Sequence, residues 1–206
     1  RVLITAGPTR EAIDPVRFIS NRSSGKMGYA LAENARNMGA SVILVSGPVA
    51  LADIPEVKAV KIETANEMKN AVIRNCTKAD YIFMGAGGAE YNTIESIKKK
   101  KKRSNKKLML NLKSTPDILK SLNGKTKAII TAFALETHNG ENEAKRKMKE
   151  KNADFIVLNY ANEKGAGFES STNRVKIFGN RGSNIELKKD RKDRVAKKII
   201  QYVLNN

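Results

Sequence analysis

Ser23-Ser24-Gly25 sets two hydroxyls and a glycine immediately before an amphipathic run, with Asn21 just upstream. Hydroxyls and free backbone N–H groups at the positive end of a helix make a ready site for a phosphate or a carboxylate. Arg10, Arg17, Arg22 and Lys26 add fixed charge of the matching sign, and the Asn21 amide can both donate and accept hydrogen bonds. The chemistry these residues suit is anion binding; the plainer alternative is a loop that only caps a helix. Tyr160 and Lys164 have the Tyr-x-x-x-Lys spacing of many short-chain reductases, which raises hydride transfer from an NADP-type cofactor. That pair follows an apolar strand and runs into Gly165-Ala166-Gly167, poor material for a helix holding both side chains on one face. Gly7-Pro8-Thr9, after the first strand, also lacks the glycine spacing that admits a pyrophosphate. Cys76 falls in the apolar pattern of a helix and reads as core. The single His138 excludes a multi-histidine metal site but leaves a carboxylate-held Mg²⁺ open.

The elements that must position these residues alternate. Val2 to Ala6 is a short buried strand, and Gly25 to Met38 is a helix with Met27, Ala30, Leu31, Ala35 and Met38 on one face, ending at Gly39. Residues 7–24 between them are long for a βα connection, which ordinarily takes ~2–6 residues, and long loops tend to be functional. Ser41 to Ser46 and Val57 to Ile62 are further strands; Thr64 caps a helix to about Asn75; Tyr81 to Met84 is a strand ending in Gly85-Ala86-Gly87-Gly88-Ala89. This rhythm is that of an α/β, Rossmann-like doubly wound, mainly parallel sheet with helices on both faces. Ligands in such sheets sit at the carboxyl ends of the strands where strand order reverses. The loop after the first strand and the small-residue run after the fourth are therefore expected to face one crevice.

Residues 90–107 form a polar, lysine-dominated segment that reads as a flap. Leu108 to Leu112 reads as a strand, and Thr115-Pro116-Asp117 as a helix start with Thr115 at the cap and Pro116 at the first helical position. Ala128 to Ala134 is a buried strand, Glu141 to Lys151 a charged helix, and Phe155 to Leu158 another buried strand. A loop from Asn159 to Asn173, a small terminal hairpin (Arg174 to Phe178, Asn184 to Leu187) and a helix from Asp190 to Leu204 close the chain. No repeat or long linker divides residues 1–206, so a single domain is expected.

The 206 residues carry 39 Lys and Arg against 21 Asp and Glu, a net charge of +18. Lys98 to Arg103 is one basic block, and the tail from Lys188 to Lys198 adds another cluster. Such charge suggests nucleic acid, yet there is no Trp and no aromatic residue interleaved with the block to stack bases. No run approaches the ~18 apolar residues of a membrane span and no secretory pattern is present. One cysteine fits a reducing, cytoplasmic setting.

The run ITAGPTREAIDPVRFISNRSSGKMGYALAE resembles the opening of the phosphopantothenoylcysteine synthetase domain of coenzyme A biosynthesis. The resemblance continues through Val45 to Pro48, the lysine-rich loop, Thr115 to Leu119, Ala132 to Thr137 and Asn159 to Asn173, covering essentially the whole chain in order. It implies a phosphopantothenate–cysteine ligase. The carboxylate of 4′-phosphopantothenate would attack the α-phosphate of CTP, giving an acyl-CMP and pyrophosphate, and the amine of L-cysteine would displace the nucleotide. Mg²⁺ would serve the phosphates, which would supply most of its ligands. A homodimer is implied as well, and a flavin-dependent phosphopantothenoylcysteine decarboxylase as fused or partner domain. The competing readings are a non-catalytic nucleic-acid binder and an NADP-dependent reductase.

By the same resemblance Asn21 would hold the acyl-nucleotide, Arg17 would reach the phosphopantothenate end, and Ser23, Ser24 and Gly25 would form the anion site beside it. Met84, Gly85 and Ala86 would lie along the nucleotide, Pro116, Asp117, Ile118 and Leu119 beside its phosphates or ribose, and Phe133 next to the base. Lys147 and Lys151, one helical turn apart, would be the lysine pair at the nucleotide. Glu90 stands where the family usually has Asp, one methylene shorter. The family's Lys-x-Lys-Lys flap motif becomes Lys98 to Lys102 here, so Lys98 and Lys100 are both candidates for its first lysine.

Overall fold

The computed structural model of the protein describes residues 1–94, 108–137, 139–160 and 170–206. β1 (Val2–Ala6) is followed by a short antiparallel pair, β2 (Glu11–Ala12) and β3 (Phe18–Ile19), and by α1 (Lys26–Asn37). β4 (Val42–Ser46), β5 (Lys58–Lys61), α2 (Ala65–Cys76) and β6 (Tyr81–Met84) come next. β7 (Tyr91–Thr93) pairs with β8 (Leu112–Ser114), and a 3-10 turn at Lys120–Leu122 leads to β9 (Ile129–Glu136). α3 (Gly140–Glu150), β10 (Phe155–Tyr160), β11 (Thr172–Gly179), β12 (Asn184–Arg191) and α4 (Lys192–Leu204) complete the chain.

Among the described residues the main sheet runs β12-β11-β10-β9-β6-β1-β4-β5. The six strands from β5 to β10 are parallel; β11 and β12 are antiparallel additions. Numbered in chain order, the parallel strands lie 3-2-1-4-5-6, and the order reverses between β1 and β6. The doubly wound, Rossmann-like α/β fold read from the sequence is the fold observed.

Alternation within strands sends successive side chains to opposite faces. Leu3, Val45, Ile82 and Ile156 pack beneath α2 and α3, while Ile4, Leu44, Phe83 and Val157 pack beneath α1 and α4. Each such side chain contributes about 1.5–3 kcal/mol on full burial. Gly28 lets α1 lie close on β1: a Cβ there would stand 2.5 Å from the Ala6 Cβ and 2.9 Å from the Thr5 carbonyl oxygen. Thr64 caps α2 through a reciprocal capping box with Glu67, as its sequence position suggests.

Several local expectations are corrected. The buried face of α1 is Gly28, Tyr29, Leu31, Ala32 and Ala35, and Met38 is exposed, because the stripe is set by the approach at Gly28 rather than by the larger side chains. Tyr91–Thr93 belongs to a strand, not to the start of a flap; it pairs with Leu112–Ser114, and the strand read at Leu108 to Leu112 is found at Leu112–Ser114. Residues 95–107, the rest of the flap, lie outside the described residues. Thr115 caps no helix: its hydroxyl donates to the Ala89 carbonyl at 2.7 Å, holding Pro116 to Leu119 against the β6 loop until the 3-10 turn. The terminal hairpin is not small. β11 and β12 extend the main sheet, and β11 takes in Thr172 and Asn173 of the expected loop, of which residues 161–169 lie outside the described residues.

Candidate active site

The reversal of strand order leaves a crevice at the carboxyl ends of β1 and β6, and loop hydrogen bonds close its floor. The Thr5 hydroxyl accepts from the Ala86 N–H at 3.1 Å, and the Thr9 hydroxyl accepts from the Ala89 N–H at 2.9 Å. The Gly87 N–H donates to the Gly7 carbonyl at 3.0 Å. Asn21 completes the clasp: its amide nitrogen donates to the carbonyls of Gly87 and, at 3.2 Å, Gly88, while its oxygen accepts from the Ser23 N–H at 2.9 Å. Both amide atoms of Asn21 therefore tie the loop after β1 to the loop after β6. The two loops share one crevice, as their positions in the sequence suggest.

Above this floor opens a cleft of about 850 Å³, within the range of ligand pockets. One wall is the start of α1, where Gly25 takes a positive φ of 76° and turns the chain into the helix. No side chain caps α1 and no acidic residue stands in its first turn, so its N-terminal dipole faces the cleft uncompensated from within the helix. Ser23, Ser24, Gly25 and Lys26 all line this wall. Met84, Gly85 and Ala86 form the floor, and Pro116, Asp117, Ile118 and Leu119 the rim beyond it. The far side holds Phe133 on β9 and, from α3, Lys147 and Lys151. Lys147 donates to Glu136 at 2.6 Å, and Lys151 stands 3.7 Å from Asp117. Those two lysines are thus brought together at the cleft, each beside a carboxylate.

Glu90 also lines the cleft, beside the β7–β8 arm. Arg17 does not. It lies in the β2–β3 turn, where its guanidinium pairs with buried Asp14, Nε to Oδ2 at 3.0 Å. Arg10 stacks over the Phe18 ring at 4.6 Å on the same arm, away from the cleft. Lys98, Lys100, His138 and Lys164 lie outside the described residues. Cys76 is buried in the core and hydrogen-bonded to the Ile73 carbonyl, and burial pushes its thiol pKa up, the opposite of an activated nucleophile. Among the described residues no three His, Cys, Asp or Glu side chains converge on a metal-sized site.

Sequence reasoning missed Asn159, Asn173 and Lys192, which complete the wall between β10, β11 and α4. Asn173 and Lys192 are buried although polar. Lys192 is pushed down to about 8, first by burial and then by the charge of Lys26. A buried lysine inside a basic tail carries no distinguishing mark in composition; only the fold turns it inward.

A model of the DNA/pantothenate metabolism flavoprotein C-terminal domain matches residues 1–206. The coenzyme A biosynthesis bifunctional protein CoaBC of Bacillus subtilis (strain 168) is 44% identical over 205 residues, 98% of this chain and 50% of that protein. A cysteine/cysteine sulfinic acid decarboxylase from an unknown prokaryotic organism is 41% identical over 99% of this chain and 58% of that protein. The crystal structure of the C-terminal domain of a CoaBC protein aligns with a TM-score of 0.84 at 42% identity, covering 98% of this chain and 93% of that one. The chain spans about half the length of the curated relatives it matches. From its first residue to its last, it belongs to the family of the DNA/pantothenate metabolism flavoprotein C-terminal domain.

Proposed function

We propose that this chain is a phosphopantothenate–cysteine ligase of coenzyme A biosynthesis, using CTP and passing through an acyl-CMP. The observation that carries the reading is the clasp at the switch point. Asn21, Thr5 and Thr9 bind the loop after β1 to the glycine run after β6, placing an uncapped helix start and a nucleotide-sized floor in one cleft. Membership of a pantothenate-metabolism family, and relatives named for coenzyme A biosynthesis, supply the substrates.

The first step needs charge stabilisation more than a general base, because an anion attacks a polyanion; in the second the attacking amine gives up a proton as the amide forms. The carboxylate oxygen of 4′-phosphopantothenate forms a bond to the α-phosphorus, and the bond to the β-phosphate oxygen breaks with its electron pair leaving on pyrophosphate. The cysteine amine then attacks the acyl carbon and CMP departs. Asn21, whose amide already fixes both loops, would turn toward the acyl-nucleotide once it is bound. Phe133 and Glu90 would face the base or ribose, and Lys147 and Lys151 the nucleotide. The nucleotide phosphates would hold most of a Mg²⁺ ion that offsets their charge, and a lysine of the 98–102 run would close over the intermediate.

A homodimer completes the proposal. The β2–β3 and β7–β8 arms lie side by side, joined where the Thr93 hydroxyl donates to the Ala12 carbonyl at 2.9 Å. They expose Val16, Phe18, Tyr91 and Leu112, and the adjoining Met109 is 87% exposed. Exposed apolar side chains gathered on neighbouring arms support an interaction surface there. A second copy covering it would bring Arg17, at the arm's tip, to the partner's phosphopantothenate. A flavin-dependent decarboxylase as fused or separate partner and a cytoplasmic setting belong to the same proposal, supported by relatives named as bifunctional proteins of coenzyme A biosynthesis. Pyrophosphate release that requires both phosphopantothenate and a nucleotide tests the reading. Retention of DNA or RNA with no such release would favour the nucleic-acid alternative.

A further inference from the structure

Parallel strands in the order 3-2-1-4-5-6 make two halves that meet at the switch point, and in dinucleotide-binding sheets each half takes one nucleotide. Here the cleft lies over one half. Among the described residues its lining includes the ends of β6, β9 and β10, and none of it comes from β4, β5 or the loop between them. That loop fills the other half. Gly47 packs backbone to backbone on Pro8: a Cβ at Gly47 would stand 1.7 Å from the Pro8 carbonyl oxygen. Val49, two residues on, sets its Cγ1 where a Cβ of Gly7 or of Gly25 would point, at 2.8 and 2.7 Å. Gly7 opens the loop after β1 and Gly25 turns the chain into α1. In a dinucleotide fold this is where the pyrophosphate approaches the backbone and the helix start. The loop behind Val49 is pinned. Lys61 on β5 pairs with Asp53 and donates to the Tyr29 hydroxyl at 3.3 Å. The same hydroxyl lies 3.3 Å from the Ser46 Oγ, which donates to the Gly47 carbonyl at 2.9 Å. Ser46 ends β4 without the acidic residue that dinucleotide folds use for the ribose hydroxyls.

We propose that Val49 is a specificity residue: it plugs the first half of the switch point and restricts the cleft to a single nucleotide. A branched hydrocarbon in that place fills the volume and offers a phosphate nothing to bond, so a dinucleotide meets both a clash and an uncompensated loss of water. Building an obstacle against the wrong ligand is a recognised route to selectivity. Val49 abuts Gly25 without lining the cleft, so the start of α1 stays available to a nucleotide lying along Met84 to Ala86. A reductase would need a nicotinamide dinucleotide across both halves, and the plug stands against that alternative. This assignment depends on the shape of the switch point and not on the ligase chemistry.

The test is a fluorescence titration with NADPH, alone and in competition with CTP, on wild type, Val49→Gly, Val49→Ala and Val49→Thr. Wild type should leave NADPH fluorescence unchanged. Val49→Gly should bind NADPH about tenfold or more tightly than wild type does, the scale of one or two methylenes in a pocket. Val49→Ala should fall between the two, and Val49→Thr, which keeps the branched shape, should exclude NADPH as wild type does. CTP should displace the NADPH that the variants bind. If Val49→Gly fails to fold, Val49→Ala carries the same expectation with a smaller gain. A wild type that binds NADPH in competition with CTP overturns the plug. So does a folded Val49→Gly or Val49→Ala that excludes NADPH as fully as wild type. A wild type that releases no pyrophosphate from any nucleotide, while its variants gain NADPH, overturns the ligase reading and leaves the plug standing.

Discussion

Asn21 spends its whole amide on the protein itself, two carbonyls at one end and an N–H at the other. Replacing it with Ala frees the loop after β1 from the glycine run, and displacement of a catalytic loop by an ångström costs on the order of 100-fold in rate. Pyrophosphate-release kinetics of Asn21→Ala should show that loss mainly in kcat, and a wild-type kcat would remove Asn21 from the mechanism. Lys151→Ala should instead raise the nucleotide KM, by about tenfold, with phosphopantothenate KM little changed. Lys192 gives a pH signature. Its native pKa of about 8 lies below the ordinary 10.5, so between those values the unfolded chain holds the proton more tightly. The native state therefore gains stability from this group as pH rises through that window, and below pH 8 bears the full cost of the buried charge. Urea midpoints of wild type should gain on those of Lys192→Gln from about pH 8 to about 10.5; parallel curves would contradict the burial of this ammonium. Asn21, Ser23 and Ser24 were legible because hydroxyls and an amide before a helix declare their chemistry. Lys192 and Asn173 were not, since each reaches the cleft wall only when α4 packs on α1 and β11 pairs with β10.

At the scale of elements, the α1–β1 contact is a tight constraint on the site. Gly28→Ala forces a methyl into the Ala6 side chain and the Thr5 carbonyl, and such overpacking costs typically about 1–3 kcal/mol. Chemical denaturation should show that loss, and a wild-type midpoint would mean that α1 moves off the sheet freely. Strands with two buried faces, such as Val42–Ser46 and Phe155–Leu158, were plain in the sequence because continuous apolar runs leave little choice. Thr115-Pro116-Asp117 misled for a physical reason: the signature of a helix start also suits a segment whose threonine bonds elsewhere, here to Ala89. β7 was hidden because Tyr91–Thr93 lies outside the main sheet and has no apolar alternation to betray it, while the apolar residues of 108–112 drew the strand that ends in β8 toward earlier positions.

At the scale of the molecule, the exposed apolar arms and the cleft belong to one account. Met109→Asp, on the arm and away from the cleft, should shift the protein toward monomer in sedimentation equilibrium and reduce turnover by withdrawing Arg17 from its partner. A fully active monomer would refute the shared site. The net charge of +18 is partly local, with one block at residues 98–103, outside the described residues, and another in the tail, of which Lys192 lines the cleft. The most direct test of the central claim is pyrophosphate release with 4′-phosphopantothenate, Mg²⁺ and each of CTP, ATP, GTP and UTP, with and without cysteine. Release with CTP, turning over continuously only when cysteine is present, is the predicted result. Absence of release with every nucleotide would contradict the ligase assignment.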